Sequence, residues 1–100
     1  MVLECALIKI EPLKENEFEV ALARAREVLA RSEGFRSLNV SRGIEEPSTY
    51  MLLIEWESLE DHTERFRGGE LFKEWRALIG PYFAEPPDVK HYNPLDASPG

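Results

Sequence analysis

Two histidines, His62 and His91, are the side chains of this sequence best suited to acid–base chemistry near neutral pH. His62 lies on the same face of a predicted helix as Leu59 and Phe66, so its imidazole is expected to point inward. A buried imidazole with a pKa near neutrality can act as a general base, which makes His62 a candidate catalytic residue. The alternative interpretation is a core histidine whose ring nitrogens are both satisfied by hydrogen bonds.

His91 lies on the last predicted strand, and it can approach His62 if its side chain turns toward the helices. Two imidazoles are potential metal ligands, but no acidic third ligand stands near them in the sequence, so no metal site is predicted. We assign His91 to the wall of a substrate pocket. The alternatives are a satisfied residue on an edge strand and a residue at a dimer seam.

Arg67 stands beside Gly68 and Gly69, where the predicted helix breaks. Its guanidinium can meet an anionic substrate or neutralise an enolate, and the glycine pair can hinge the mouth of a pocket. A solvated surface charge and a plain helix junction are the alternative interpretations.

Aromatic side chains are concentrated in the second half of the chain, and an aromatic wall suits a flat, conjugated ligand. The same stripe at helical spacing also fits an ordinary core. The residues concerned are Trp56, Phe66, Phe72, Trp75, Tyr82 and Phe83.

The length and charge of the chain exclude several classes of function. One hundred residues suffice for one domain with one core, which we place at residues 1–95, with residues 96–100 as a flexible tail. The 12 Lys and Arg against 19 Asp and Glu give a net charge of −7, which disfavours nucleic acid and anionic lipid as partners. The absence of a long apolar run and of a basic leader predicts a soluble, cytoplasmic protein. The single cysteine, Cys5, is expected to be buried and inert.

The elements that must position these side chains alternate as β-α-β-β-α-β. Strands are predicted over residues 2–10, 35–44, 49–56 and 84–92, and a first helix over residues 14–33 that ends before a left-handed Gly34. A capping box, Ser58 with Asp61, starts a second helix whose inner face we expect to contain Leu59, His62, Thr63 and Phe66. After the two glycines, a further helix runs from Glu70 to Gly80-Pro81. This order predicts an α+β, ferredoxin-like fold with a four-stranded antiparallel sheet and the first and third strands at its centre.

The two central strands are apolar on both faces, although two helices can cover only one face of the sheet. Leu3, Cys5 and Leu7 alternate with Val2, Ala6 and Ile8 on the first strand, and Met51 and Leu53 alternate with Leu52 and Ile54 on the third. Burial of several hundred Å² of apolar surface is worth on the order of 10 kcal/mol before the losses of association. We therefore expect a homodimer that packs sheet against sheet, with scattered exposed apolar residues as the alternative.

The sequence resembles the antibiotic biosynthesis monooxygenase (ABM) domain family of the dimeric α+β barrel superfamily. The resemblance covers residues 2–93. It is carried by Gly34-Phe35 and by the segments 50–58, 60–63, 72–75 and 87–92, whose sequences are YMLLIEWES, EDHT, FKEW and PDVKHY.

The resemblance implies a cofactor-independent monooxygenase that acts on a small aromatic, phenolic or quinol substrate, because an electron-rich substrate can itself reduce O₂. No cofactor is expected. His62 and Arg67 would be catalytic, and Trp56, Phe66, Phe72, Trp75 and His91 would contact the substrate. In the haem-degrading branch, the first strand carries an Asn that this chain lacks, while Phe66 and Arg76 occupy the positions of its Trp and His. The alternatives are a non-catalytic dimeric module that binds a small ligand or is associated with stress, and a lactone- or dehalogenation-type enzyme on the same scaffold.

Overall fold

Four strands pair into one antiparallel sheet, and the first and third strands lie at its centre, as the sequence predicts. The computed structural model describes residues 1–95. The strand order is β2-β3-β1-β4, which confirms the ferredoxin-like α+β prediction. The strands are β1 Val2–Lys9, β2 Phe35–Arg42, β3 Thr49–Trp56 and β4 Asp88–Tyr92. The predicted tail at 96–100 lies outside the described residues.

Two helices cover one face of this sheet. Helix α1, Glu15–Ala30, buries Phe18, Leu22, Ala25 and Leu29 against the strands, which is the face that their spacing predicts. Helix α2 spans Glu70–Ile79 and buries Trp75 and Ile79. Gly34, which follows α1, has a φ of +82° and therefore adopts the left-handed conformation expected at the end of a helix.

Four predicted elements are longer than the observed ones, β1 and β2 by one or two residues and β4 and α1 by four. Strand β4 begins at Asp88 rather than at residue 84, because Pro86 and Pro87 lack the backbone N–H groups that a strand ladder needs. Helix α1 ends at Ala30, and a turn leads from it to Gly34. No helix in residues 1–95 is long and apolar enough to cross a bilayer.

The segment that carries His62 is wound differently from the predicted α-helix. The capping box is present, because the Ser58 N–H donates to Asp61 Oδ2 at 3.1 Å and the Asp61 N–H donates to Ser58 Oγ at 3.3 Å. From there Asp61–Phe66 forms a π-helical turn, hereafter the π segment, in which the Arg67 N–H donates to the His62 carbonyl five residues earlier at 3.0 Å.

The wider π winding changes which side chains face the core. Asp61, His62 and Phe66 are buried, whereas Leu59 is 41% exposed and Thr63 is also exposed. The expectation that Leu59 and Thr63 belong to the inner face was therefore wrong, because that expectation assumed α-helical spacing.

Asp61 ties the π segment to the turn between α1 and β2. Its carboxylate accepts hydrogen bonds from Ser58 and Arg65 and packs directly against Gly34, where a side chain would collide with it. Burial would raise the pKa of Asp61, but the hydrogen bonds from Arg65 and Ser58 outweigh it and hold this pKa below its ordinary value. Asp61 thus helps to fix the position of His62, its neighbour in the chain.

The other face of the sheet has no covering element within residues 1–95. Its centre is an apolar patch in which Cys5 stands opposite Leu53 and Leu7 stands opposite Met51. Leu7 is 42% and Met51 is 38% exposed. Cys5 is only half-buried, which corrects the expectation that it is buried, because its side chain points to this uncovered face.

Candidate functional site

A cavity of about 200 Å³ lies between the helix-facing side of the sheet and the layer formed by the π segment and α2. Its wall is mainly apolar and aromatic, with a few polar groups, which is the usual composition of a small-molecule site. The sheet contributes Glu4, Ala6, Ile8, Leu52, Ile54 and Val89, and the remaining wall contains His62, Phe66, Arg67, Phe72, Trp75, Arg76, Ile79, Phe83, Pro86 and Pro87.

Five of the seven residues that the sequence suggests for the site line this cavity. They are His62, Phe66, Arg67, Phe72 and Trp75. Trp56 and His91, expected in the same wall, do not reach the cavity. Trp56 is fully buried with its ring stacked against His62, at 5.4 Å between ring centroids, and His91 contacts the far side of the His62 ring.

The two histidines meet directly. His62 Nδ1 and His91 Nε2 are 2.7 Å apart, the distance of a short hydrogen bond, so one of these nitrogens carries the proton and the other accepts it. His62 is 3% exposed, while His91 is half-buried on the edge strand. This contact leaves His62 Nε2 as the ring nitrogen available on the other side.

Glu4 is the functional candidate that the sequence analysis missed. It is 5% exposed, and its Oε1 accepts a hydrogen bond from Trp56 Nε1–H at 2.9 Å. His62 Nε2 lies 3.3 Å from the same oxygen. Strand alternation carried the signal, because Glu4 shares the inward face of β1 with Val2, Ala6 and Ile8 and is the one charged residue on it.

Burial raises the pKa of Glu4 and lowers that of His62, so that the carboxyl has the higher pKa of the two. Burial raises the pKa of Glu4 to about 7, although the Trp56 hydrogen bond and the Arg67 charge oppose it. Burial, His91 and Arg67 lower the pKa of His62 to about 4. Burial and Arg67 also lower the pKa of His91. At neutral pH His62 is therefore an uncharged imidazole with a free lone pair, and Glu4 is divided between its two protonation states.

Two arginines stand at the mouth of the cavity. The Arg67 guanidinium lies 5.7 Å from the centroid of the Phe72 ring, and the Arg76 guanidinium lies 6.0 Å from the same ring and 5.6 Å from that of Phe83. Both side chains are otherwise exposed, and Arg76 was not predicted as a site residue from the sequence. Both cations can therefore attract an anion toward the cavity.

The size of the cavity limits what it can hold. An apolar cavity of about 150 Å³ is large enough for benzene, so a cavity of about 200 Å³ accommodates one substituted ring. Within residues 1–95, no three or more His, Cys, Asp or Glu side chains converge into a group that could hold a metal ion.

Comparison with known proteins agrees with this architecture. The sequence model of the family described as "Antibiotic biosynthesis monooxygenase" matches residues 1–78. The uncharacterized protein YczJ of Bacillus subtilis (strain 168) is 40% identical over 92 residues, which are 92% of this chain and 97% of YczJ.

Solved structures show the same fold. A protein from Bordetella bronchiseptica that carries the same family name is 38% identical, with a TM-score of 0.91 over 94% of this chain and 96% of that one. SnoaB, a cofactor-independent oxygenase from Streptomyces nogalater, has a TM-score of 0.82 over 99% of this chain and 97% of its own, at 15% identity. At that identity the likeness concerns the fold alone.

The opposed pKa shifts predict a characteristic dependence of stability on pH. The Glu4 pKa is raised from 4.5 to about 7. The contribution of Glu4 to the free energy of unfolding is therefore complete below pH 4.5 and is lost as the pH rises to 7. The His62 pKa is lowered from 6.5 to about 4. The contribution of His62 to the free energy of unfolding is therefore complete above pH 6.5 and is lost as the pH falls to 4. Each contribution amounts to about 3 kcal/mol, so in the unmodified protein the two nearly cancel.

Single substitutions should expose each contribution in urea denaturation measured from pH 4 to pH 8. Glu4→Gln should lose about 3 kcal/mol of unfolding free energy on acidification, and His62→Gln should lose a similar amount as the pH rises to 7. Lys90→Gln, which removes an exposed charge on β4, should keep the shallow profile of the unmodified protein. Profiles of the same slope in all four proteins would contradict the assignment.

Proposed function

The chain belongs to the antibiotic biosynthesis monooxygenase family, and from that premise we propose that it oxygenates a small, single-ring phenol or quinol without a cofactor. The observation that carries this proposal is the cavity of about 200 Å³, which combines an aromatic wall with an uncharged imidazole, a buried carboxyl and two arginines at its mouth. These groups suit a flat ring that must lose a proton and be held as an anion.

The reaction needs only the substrate and O₂. A phenol whose para position carries hydrogen becomes a quinone when one atom of O₂ enters the ring and the other leaves as water. The ring loses two hydrogens and supplies all four electrons. The protein then has three tasks, which are to bind the ring, remove the hydroxyl proton and stabilise the phenolate.

His62 is the proposed base and Arg67 the proposed anion stabiliser. His62 is uncharged at neutral pH, and its Nδ1 is engaged by His91, so Nε2 is the nitrogen that accepts the proton. Arg67 stands at the cavity mouth, where its guanidinium can approach a phenolate oxygen. Phe66, Phe72 and Trp75 enclose the ring.

We further propose that two copies of the chain associate through the uncovered face of the sheet. The apolar patch at its centre has polar strands on either side, Ser and Asn on β2 and Asp and Lys on β4, an arrangement typical of an interface core with a polar rim. The cytoplasmic location also stays a prediction from the sequence, and the single cysteine is consistent with it.

Oxygen consumption tests the activity. The protein mixed with phenol or hydroquinone in air should consume O₂ faster than buffer alone, and with ¹⁸O₂ and phenol the quinone should contain one labelled oxygen. His62→Gln should lower kcat/KM by about 100-fold or more, because a positioned base contributes that much. Thr63→Ala, at the exposed neighbouring position, should leave the rate unchanged.

Two results would contradict this proposal. Undiminished oxygen uptake by His62→Gln would exclude His62 as the base. Binding of phenol in the cavity without any oxygen uptake would identify the chain as a non-catalytic ligand-binding module.

The dimer is tested by analytical ultracentrifugation at micromolar concentration. The protein should sediment at about twice its chain mass of 11.5 kDa, and Leu7→Glu should sediment as single chains because it places a charge in the apolar patch. Val20→Glu adds the same charge on the exposed face of α1, where Val20 is 67% exposed, and should remain dimeric. Single chains of the unmodified protein would disprove the sheet-to-sheet dimer.

A further inference from the structure

We propose that His62 and His91 form a proton relay between the cavity and the protein surface, and that Glu4 is the carboxylate that positions this relay and stabilises its charged state. The inference rests on the proposed function, since it assigns the route by which the phenolic proton leaves the cavity. It gives a role to two buried or half-buried titratable groups, Glu4 and His91, that binding of a ring does not require.

The sheet register brings the three groups together. Glu4 and His91 are direct cross-strand partners in the β1–β4 ladder, and both side chains point toward the helix layer. The π segment places His62 over this pair, with Nδ1 2.7 Å from His91 Nε2 and Nε2 3.3 Å from Glu4 Oε1. The His62 ring therefore spans the gap between a cavity-lining carboxyl and a half-buried imidazole on the sheet edge.

The bonding of His62 differs from that of a purely structural core histidine. A structural imidazole in an apolar core usually has both ring nitrogens in good hydrogen bonds. In His62 one nitrogen has a short partner, whereas the 3.3 Å contact of Nε2 with Glu4 is long for a hydrogen bond. The loosely held nitrogen belongs to a residue of the cavity wall, which is where a substrate hydroxyl would lie.

Every proton that enters the relay also leaves it, and both histidines return to their starting tautomers. The relay starts from the tautomer in which His62 carries its proton on Nδ1 and donates it to His91 Nε2, while His91 carries its own proton on Nδ1. The substrate hydroxyl gives a proton to His62 Nε2, the Nδ1 proton moves to His91 Nε2, and His91 releases its Nδ1 proton to water. Both rings stay uncharged overall and exchange tautomers. Since the oxygenation forms water and is proton-neutral, a proton returns by the same route and restores both tautomers.

Glu4 lowers the free energy of the transient state in which His62 carries two protons and is positively charged. Two positive groups oppose that state, the Arg67 guanidinium at the cavity mouth and, when it is protonated, His91 on β4. Glu4 on β1 supplies the compensating negative charge, and the Trp56 N–H from β3 holds its Oε1 beside His62. Glu4 is thus a positioning residue that acts through His62.

The first test compares His91→Gln with the matched control Lys90→Gln, which removes the neighbouring titratable side chain on the opposite face of β4. Gln can hydrogen-bond to His62 but cannot pass a proton on, so His91→Gln should lower kcat at least about tenfold. Added imidazole buffer should restore that rate, because a small external base replaces the missing carrier. Lys90→Gln should match the unmodified protein with or without imidazole. An undiminished kcat in His91→Gln, or a loss that imidazole does not restore, would overturn the relay.

The role of Glu4 has its own readout. In Glu4→Gln, kcat should fall about tenfold or more while KM changes little, because the carboxylate stabilises the charged state rather than the bound ring. The rise of activity near pH 7 that ionisation of Glu4 produces should be absent in this variant. A variant that keeps the inflection near pH 7 would exclude Glu4 from the relay.

A second measurement separates failure of the relay from failure of the proposed function. In ¹⁵N-labelled protein, NMR should detect scalar coupling across the hydrogen bond between His62 Nδ1 and His91 Nε2. Exchange of the His62 ring proton with water should slow several-fold in His91→Gln and stay unchanged in Lys90→Gln. If the protein consumes no oxygen, these two exchange rates still test whether protons pass from His62 through His91 to water. Equal rates in the two variants would overturn the relay.

Discussion

The carboxyl of Glu4 is buried inside an apolar core, and the chemistry of the site depends on how that burial is accommodated. An isolated carboxylate in such surroundings costs many kcal/mol, so it must be neutralised or paired. Here one hydrogen bond comes from Trp56, and burial favours the protonated, uncharged form of Glu4 as it favours the deprotonated, uncharged form of His62. An apolar residue at position 4 would complete the core at lower cost. An acid at this point therefore fits a functional requirement better than a structural one.

The π segment makes this arrangement possible. An α-helix started by the same capping box would direct residues 59 and 63 inward, and His62 would sit at a different angle to Glu4 and His91. π turns are frequent at functional sites, because they reorient one or two side chains at the expense of regular hydrogen bonding. The buried Asp61, held by Ser58 and Arg65 and packed on Gly34, fixes that orientation from outside the cavity.

The sequence predicts the architecture well because several independent patterns agree on it. The apolar character of β1 and β3, the prolines before β4 and the left-handed Gly34 all point to the same topology, and the structure confirms that topology. The site is harder to predict from sequence patterns than the fold is. Glu4 is a single charged residue in an apolar strand, and its burial becomes visible only when the inward face of β1 is traced residue by residue. The π winding has no sequence signal beyond the capping box, so the inner face of that segment was predicted with the wrong period. The placement of His91 behind His62, and not in the cavity wall, depends on the β1–β4 register, which local patterns do not specify.

The central claim is that Glu4 is a buried acid beside His62 whose pKa burial raises to about 7, and the titration of its carboxyl carbon tests that claim most directly. In protein labelled with ¹³C at the glutamate carboxyl groups, the Glu4 signal is identified by its loss in Glu4→Gln. We predict that this signal titrates near pH 7. A Glu4 signal that titrates near the ordinary glutamate value of 4.5 would show a solvated carboxylate, and the account of the site would be wrong.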